Sequence, residues 1–265
     1  MPVYIGNKKV GINNKIVKVE GIPREIVNGV YSYPSNNFTF SLPNNTINLG
    51  DFTLYSAFYG CTTLTSADLS SLTSITGSNA LNSAFYVCTA LTSVDLSNLT
   101  SITGSSALKS AFNGCTSLTS LRFPSLTSIT GLSALNYAFF GCSLTELSFP
   151  SLTIISGSYA LQRAFQSCTS LTSLNFPSLT TISGSSALDS AFLSCISLTS
   201  LSFPSLNSNS FGSYTNQFNN MLSGVTGCTV HFPSNLESVI GNWNNVINGF
   251  SGTNTTVLFD LTATT

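Results

Sequence analysis

Residues 110–130 read SAFNGCTSLTSLRFPSLTSIT, and close copies of this stretch occur about six times along the chain. Each copy contains the phrase Ala-Phe-x-x-Cys, and successive copies start 27, 27, 27, 26 and 27 residues apart. The phenylalanines of this phrase are Phe58, Phe85, Phe112, Phe139, Phe165 and Phe192. A fixed period of this size is typical of a solenoid, in which each repeat forms one coil and stacks on the next. We therefore predict a solenoid.

Two apolar patterns alternate within one repeat. The first predicts one face of a short helix, because its residues lie at positions i, i+3, i+4 and i+7: Leu108, Ala111, Phe112 and Cys115. The second predicts a short strand, because Leu121 and Phe123 are two residues apart and Pro124 has no N–H to continue a ladder. The expected fold is an α/β solenoid of about six regular coils of 26–27 residues, with degenerate terminal coils and caps.

The departures from the repeat divide the chain into three predicted regions. They are a small β-rich cap or attachment element (1–37), the solenoid (38–206), and a degenerate last repeat with a C-terminal cap (207–265). Asn28-Gly29 lies between two β-prone runs and predicts a hairpin in the first region. In the last region, apolar residues at helical spacing predict a capping helix over 235–246, and residues 255–261 predict a closing strand.

The composition argues against several classes of partner. The chain has 265 residues, a net charge of −1 and only 6% charged residues, so we expect binding neither to nucleic acid nor to an anionic membrane. It contains no apolar run of 18 residues, so we expect no insertion into a membrane. The first residues lack the pattern of a secretory signal. We therefore expect a protein that is intracellular, exported by another route, or released inside a particle such as a virion.

Six of the seven cysteines occupy the same position of the repeat: Cys61, Cys88, Cys115, Cys142, Cys168 and Cys195. We interpret them as a column of buried, reduced thiols that act as small apolar side chains. Disulfides between stacked neighbours are an alternative. A ladder of metal ions is a weaker alternative, because zinc sites need converging Cys and His ligands and the chain has one histidine. We predict no metal and no cofactor.

The recurring phrase Ala-Phe-x-x-Cys-Thr-Ser-Leu-Thr-Ser-Leu-x-Phe-Pro-Ser-Leu-Thr-Ser-Ile resembles the BspA-like class of leucine-rich repeats over roughly residues 38–233. The resemblance implies a right-handed leucine-rich repeat superhelix, and adhesion or host-surface binding without catalysis. The tail GTNTTVLFDL (252–261) resembles the end of such proteins from gut bacteria and their phages. The opening of the chain resembles the short β-rich starts of phage structural proteins. These likenesses imply a place in a virion or on a bacterial cell surface, with residues 1–37 contacting virion proteins.

The candidate binding residues are strand residues that face away from the core and form columns along the solenoid. They are Asp68, Asp95, Arg122, Glu146, Asn175 and His231. Such extended surfaces commonly bind partners, here a host glycan or protein, but the same columns also fit a sheet face that is polar only for solubility. Four aromatic residues are expected on the helical side, where they would either stack on sugars or pack between coils: Tyr59, Tyr86, Tyr137 and Phe140.

No pattern in the sequence indicates catalysis. His231 is the one histidine, and the chain has no nucleophile elbow, no phosphate-binding glycine loop and no His-Glu-x-x-His. Two non-enzymatic alternatives to adhesion stay open. One is a purely structural decoration or assembly module without a ligand. The other is an array of threonines, such as Thr100 with Thr103 and Thr127 with Thr130, that orders water as ice-binding proteins do.

Overall fold

A computed structural model describes residues 37–42, 48–211, 216–240 and 255–262, together with six short strands in the first 32 residues. The described residues form a β-solenoid of about seven turns with a repeat of about 27 residues, which confirms the predicted solenoid. Each regular coil contributes strands to parallel pairs in which corresponding residues of successive coils lie side by side. None of the helices in these ranges has the length and hydrophobicity needed to span a bilayer.

One sheet, which we call the narrow sheet, has six parallel strands of two residues each. Its strands are β8 (Asn48–Leu49), β10 (Ser74–Ile75), β12 (Ser101–Ile102), β14 (Ser128–Ile129), β16 (Ile154–Ile155) and β18 (Thr181–Ile182). The second residue of every strand is buried, because side chains alternate between the two faces.

The other row of strands, which we call the wide sheet, forms three hydrogen-bonded groups of parallel strands. The first group is β7 (Phe38–Ser41), β9 (Leu64–Asp68) and β11 (Ser93–Asp95). The second is β13 (Ser120–Arg122) and β15 (Glu146–Ser148). The third is β17 (Ser173–Asn175), β19 (Ser200–Ser202), β20 (Thr229–Pro233) and β21 (Thr256–Leu261). Strand pairing is therefore interrupted between β11 and β13 and between β15 and β17.

The first region contains three antiparallel pairs of short strands. They are β1 (Tyr4–Ile5) with β2 (Lys8–Lys9), β3 (Gly11–Ile12) with β4 (Lys15–Ile16), and β5 (Glu25–Val27) with β6 (Val30–Ser32). Val27 pairs with Val30, so β5 and β6 are the strands of the hairpin predicted around Asn28-Gly29, and that prediction is confirmed. The division into three regions stays a prediction.

The segment that was predicted to be a helix forms a run of tight turns in every coil, which we call the turn ladder. It covers residues 51–60, 78–87, 105–114, 132–141, 158–167 and 185–194. In the third coil, Ser106, Ser110 and Gly114 have φ values of 52°, 52° and 73°, so a left-handed residue recurs at every fourth position. A right-handed helix cannot contain such residues. The helical half of the predicted coil is therefore wrong.

The N–H groups of the turn ladder alternate between two destinations. The N–H of Ala107 donates to the carbonyl of Gly104 within the same coil, at 3.3 Å between N and O. The next N–H, that of Leu108, donates to the carbonyl of Ala134 in the following coil at 2.8 Å. An α-helix would satisfy these groups within its own segment. The turn ladder instead uses half of them to join the coils, so it adds to the cohesion of the stack.

Two columns of stacked phenylalanine rings run through the core. Neighbouring rings of the first column are 5.2–5.5 Å apart between centroids and within 13° of parallel: Phe58, Phe85, Phe112, Phe139, Phe165 and Phe192. The second column starts in the third coil, with spacings of 5.0–5.7 Å: Phe123, Phe149, Phe176, Phe203 and Phe232. The columns meet edge to face, as where Phe123 lies 6.2 Å from Phe139 at 68°.

The cysteine column lies beside the first phenylalanine column. All seven cysteines are within the described residues and are buried free thiols, which confirms the predicted burial of the column. From the second coil onward each thiol of the column donates to the carbonyl of the repeated phenylalanine one coil earlier, at 3.0–3.2 Å between S and O. Burial raises the pKa of Cys115 and of Cys195 to about 12. These thiols are thus inert hydrogen-bond donors.

The coils come closest at a column of glycines. A Cβ atom added to Gly131 would lie 2.2 Å from the carbonyl oxygen of Gly104, and Gly104 stands in the same relation to Gly77. Contacts under 3.0 Å are essentially never made by a real Cβ atom. Glycine is required at this position because the backbones of successive coils touch there, and not because of a special φ angle.

The C-terminal part agrees with the prediction where it is described. β21 pairs in parallel with β20, so the predicted closing strand is confirmed. A 3₁₀ turn (Ser234–Leu236) continues into the short helix α1 (Glu237–Ile240) at the start of the predicted capping helix. Residues 241–246 of that helix lie outside the described residues.

Candidate binding face and groove

The predicted binding residues lie on the outward face of the wide sheet. In β13 the side chain of Leu121 is buried while Ser120 and Arg122 on either side are exposed, and the other strands of three residues alternate in a similar way. Asp68 and Asp95 are directly paired in neighbouring strands, which places their carboxyl groups side by side. Strand alternation therefore positions the column as the sequence predicts.

A groove of about 670 Å³ opens in this face where the pairing of β11 with β13 is interrupted. Asp68, Asp95 and Arg122 line it together with serine and threonine side chains. Val94 also lines it and is only partly buried, although its counterparts in neighbouring coils are fully buried. The groove thus has an apolar floor between charged walls.

The groove coincides with a change in the core. Leu96 of the second coil occupies the position of Phe123 in the third, and the second phenylalanine column begins at Phe123. A ring on one side and a smaller leucine on the other differ in volume, so the two coils do not stack as like on like. This step in residue size coincides with the separation of β11 from β13, whereas β15 and β17 separate between two phenylalanines, Phe149 and Phe176.

The two aspartates also close the turns that follow their strands. Oδ1 of Asp68 accepts the N–H of Ser70 at 3.0 Å and its hydroxyl at 2.6 Å, and Oδ1 of Asp95 accepts the N–H of Ser97 at 2.9 Å. Hydrogen bonds from Ser70 hold the pKa of Asp68 below its ordinary value. Later coils have proline where these serines lie, and proline offers no N–H: Pro124, Pro150, Pro177 and Pro204. At this position aspartate therefore occurs only in coils whose turn contains a serine N–H that needs a hydrogen-bond acceptor.

Asp95 nevertheless keeps one carboxylate oxygen that can accept a further hydrogen bond. Its Oδ1 is used by the turn, while its Oδ2 has no hydrogen-bond partner among the described residues. The guanidinium of Arg122, on the other wall, bonds to Glu146 at 2.8 Å, and this hydrogen bond lowers the pKa of Glu146. Both side chains of that pair are more than half exposed, so water screens it and a ligand can displace it.

The remaining predicted residues lie elsewhere on the face. Asn175 is exposed on β17, beyond the second interruption of the sheet. His231 is on β20 near the C-terminal end, where its Nδ1 lies 3.0 Å from both carboxylate oxygens of Asp260. Asp260 was not predicted, because its pairing with His231 depends on the register of the last two strands. Of the six residues, Asp68, Asp95 and Arg122 line the groove, Glu146 pairs with Arg122 beside it, and Asn175 and His231 lie apart from it.

The four predicted aromatic residues lie on the turn ladder. Tyr59 and Tyr86 stack face to face, with centroids 4.7 Å apart and planes within 4°. The hydroxyl of Tyr137 accepts a hydrogen bond from Nη1 of Arg163 at 2.7 Å. Phe140 packs 6.1 Å from Tyr137. Tyr59 is largely exposed and the other three are half-buried. The stacking of Tyr59 on Tyr86 is the predicted packing between coils, while stacking on sugars stays a prediction.

The comparison with protein families identifies the family to which the repeat belongs. A family model described as the BspA type leucine rich repeat region matches residues 15–130 and 133–242 and spans six copies. The chain belongs to this BspA-type leucine-rich repeat family. The resemblance stated from the sequence is confirmed, and the match extends beyond the range over which the residues first indicated it. The comparison with curated proteins found no match.

Solved structures of leucine-rich repeat proteins resemble the chain at low identity. A leucine-rich repeat protein from Bacteroides ovatus is 22% identical over 74% of this chain and 51% of its own, with a TM-score of 0.45. A leucine-rich cell surface protein from Faecalibacterium prausnitzii is 17% identical over 85% and 89%, with a TM-score of 0.25. An internalin from Listeria monocytogenes is 18% identical over 85% and 62%, with a TM-score of 0.28. The chain spans about half the length of the Bacteroides protein.

The threonine hydroxyls of this BspA-type solenoid form hydrogen bonds with the backbone. The hydroxyls of one threonine column each donate to the carbonyl of the corresponding threonine one coil earlier, at 2.7–3.2 Å: Thr100, Thr127, Thr153 and Thr180. The proton of each hydroxyl is therefore used within the solenoid, and only its lone pairs are available to water. Among the described residues no group of three or more His, Cys, Asp or Glu side chains is arranged to hold a metal ion.

Proposed function

We propose that this BspA-type repeat protein is a non-enzymatic recognition module of a virion or a bacterial cell surface, and that it binds a host glycan or protein through the outward face of the wide sheet. The observation that carries this proposal is the groove between β11 and β13. In this proposal residues 1–37 attach the solenoid to other virion proteins.

The groove offers a small set of converging polar groups above an apolar floor, which is typical of binding sites. Oδ2 of Asp95 accepts hydrogen bonds, the guanidinium of Arg122 donates them, and Val94 supplies apolar contact. Sugar hydroxyls and the polar side chains of a protein loop both fit this combination. A glycan array and a pull-down distinguish a glycan partner from a protein partner.

The same residues argue for recognition without catalysis. A general base works best with a pKa near the working pH, whereas the pKa of Asp68 is lowered. Four serines line the groove, Ser66, Ser93, Ser97 and Ser120, and the charged side chains beside them are Asp68, Asp95 and Arg122. These groups suit the binding of a polar ligand, and no histidine is among the lining residues to activate a serine as a nucleophile.

The test is a glycan array and a pull-down with host envelope fractions, comparing the wild-type chain with the double variant Asp95→Asn/Arg122→Gln. Asparagine keeps the Oδ1 that accepts the N–H of Ser97, so the turn survives while the charge is removed. We expect a loss of roughly tenfold or more in affinity, because two charged hydrogen bonds to the ligand are removed. Asp189→Asn, on the turn ladder of the sixth coil, is the matched control and should bind as the wild type does.

Two results would count against the proposal. Binding of the double variant with full strength would place recognition elsewhere on the chain. Binding by neither protein to any glycan or envelope fraction would favour a purely structural module, the alternative in which the face has no ligand.

A further inference from the structure

The outer face of the first turn ladder carries three aromatic residues, at positions where each of the next five ladders carries at most one. Phe52, Tyr55 and Tyr59 point outward there and are 53%, 46% and 53% exposed. The corresponding residues of the third coil are polar: Ser106, Lys109 and Asn113. Because all coils share one backbone conformation, the later coils show that polar residues satisfy the fold at these positions. The aromatic residues of the first coil are therefore not required by packing.

Phe52 is unfavourable in two ways. Its φ of 52° is left-handed, a conformation in which serine or asparagine stands at the same position of other coils, such as Asn79 and Ser106. Its ring also exposes apolar surface to water. Locally unfavourable residues that make no compensating contact with the core are typical of binding surfaces.

The three exposed rings and a fourth ring form two pairs on this face. The centroids of Phe52 and Tyr55 are 5.8 Å apart, and Tyr59 stacks on Tyr86 of the next coil. We call Phe52, Tyr55, Tyr59 and Tyr86 the aromatic ledge. Beside it, in the second coil, Nδ2 of Asn82 donates to Oδ1 of Asn79 at 2.9 Å. On this side the ledge is bordered by amides.

We propose that the aromatic ledge binds a neutral oligosaccharide. Pyranose rings have an apolar face that stacks on aromatic rings and a rim of hydroxyls that pairs with amides. Within residues 51–87 the two charged side chains are Asp51 and Asp68, and both accept backbone N–H groups, so nothing on the ledge selects an ionic ligand.

The size of the ledge also favours a saccharide over a protein. Three half-exposed rings offer on the order of 300 Å², since a whole aromatic side chain has about 200 Å². A stable protein–protein interface takes about 800 Å² from each partner. The ledge lies on the turn ladder rather than on the wide sheet, so it is a second site, separate from the groove between β11 and β13.

The test is isothermal titration calorimetry of the full chain with cellohexaose, chitohexaose, laminarihexaose and mannohexaose. We expect saturable binding of at least one of them. The triple variant Phe52→Ser/Tyr55→Asn/Tyr59→Asn, which introduces residues that the chain itself uses at these positions, should lose roughly tenfold or more in affinity while its thermal unfolding stays cooperative. The matched control is Tyr159→Ser, which removes the exposed aromatic at the position of Phe52 in the fifth coil and should leave the affinity unchanged.

Three outcomes would overturn this proposal. They are the absence of saturable binding by all four hexasaccharides, binding that the triple variant retains, and self-association of the wild type that the triple variant abolishes, since this last result would assign the ledge to a second copy of the chain. The groove variant Asp95→Asn/Arg122→Gln separates the two proposals, because saccharide binding at the ledge should survive in it. Loss of ledge binding alone leaves the proposed function of the groove in place.

Discussion

The thiol of Cys115 donates a hydrogen bond to the carbonyl oxygen of Phe85, which lies 30 residues earlier in the chain and one coil away, at 3.1 Å between S and O. The same carbonyl also accepts the N–H of Cys88 within its own coil. Cysteine therefore does more in this column than fill space, because its S–H links each coil to the one before it.

The first prediction concerns the donor at this position. Cys115→Ala removes both the thiol and its hydrogen bond from a fully buried site, and we expect a loss of about 1–3 kcal/mol in the free energy of unfolding. Cys115→Ser keeps a donor of similar size and should be at least as stable as the alanine variant. Urea unfolding measures both. A serine variant clearly less stable than the alanine variant would show that the thiol acts only as an apolar side chain.

The second prediction concerns stability at alkaline pH. Burial raises the pKa of Cys115 and Cys195 from the ordinary thiol value of 9.0 to about 12, so the folded chain keeps protons that the unfolded chain releases. A raised folded pKa contributes stability below the unfolded pKa, and this stability is lost as the pH rises toward the folded value. Between about pH 9 and 12 we expect a fall of about 1.4 kcal/mol per pH unit for each such cysteine.

Urea midpoints between pH 8 and pH 10.5 test this dependence. Cys195→Ala should reduce the slope by the contribution of one thiol, whereas Ser190→Ala in the same coil should leave it unchanged. A slope that does not respond to the loss of Cys195 would mean that another group titrates.

The third prediction separates the turn ladder from a helix. Ser110 has a φ of 52°, where glycine is relaxed and serine is not. Ser110→Gly should therefore be neutral or stabilise the protein by up to about 1 kcal/mol, whereas the same change in a helix would destabilise it by about 0.5–1 kcal/mol. Asn113→Gly, at an outward position without a positive φ, is the control and should destabilise. Equal destabilisation by both changes would indicate that the segment is a helix, as the apolar pattern predicts.

This difference shows what the repeat pattern can and cannot predict. The period predicted that Phe112 and Cys115 lie in rows with their counterparts, and they do, because only stacking shields a motif repeated in phase. The pairs Ala107-Leu108 and Ala111-Phe112 recur every four residues, but over so short a segment a period of 4 cannot be told from 3.6. The serines at the left-handed positions were the available signal, since serine is a poor helix former.

The candidate site likewise has features that the sequence could predict and features that it could not. Strand alternation was enough to predict the outward position of Asp68 and Asp95. The groove was not predictable, because it depends on where the pairing of neighbouring strands is interrupted, which is a matter of packing between coils and not of pattern. Phe52 and Tyr55 were missed because they precede the repeated phrase, and only the shared conformation of the turn ladders shows that they occupy serine, asparagine and lysine positions.

The last prediction concerns the contact between coils at the glycine column. In Gly131→Ala the new Cβ would meet the backbone carbonyl of Gly104 at 2.2 Å, and backbone cannot rotate away as a side chain can, so the coils must separate. We expect a loss of about 2–4 kcal/mol in the free energy of unfolding. Gly141→Ala is the matched control in the same coil. Its φ is 68° with no atom within 4 Å of the added Cβ, so only the backbone conformation is penalised, by about 1 kcal/mol. If urea unfolding shows the two substitutions to be equally costly, the backbones of the two coils do not touch at Gly131 and Gly104.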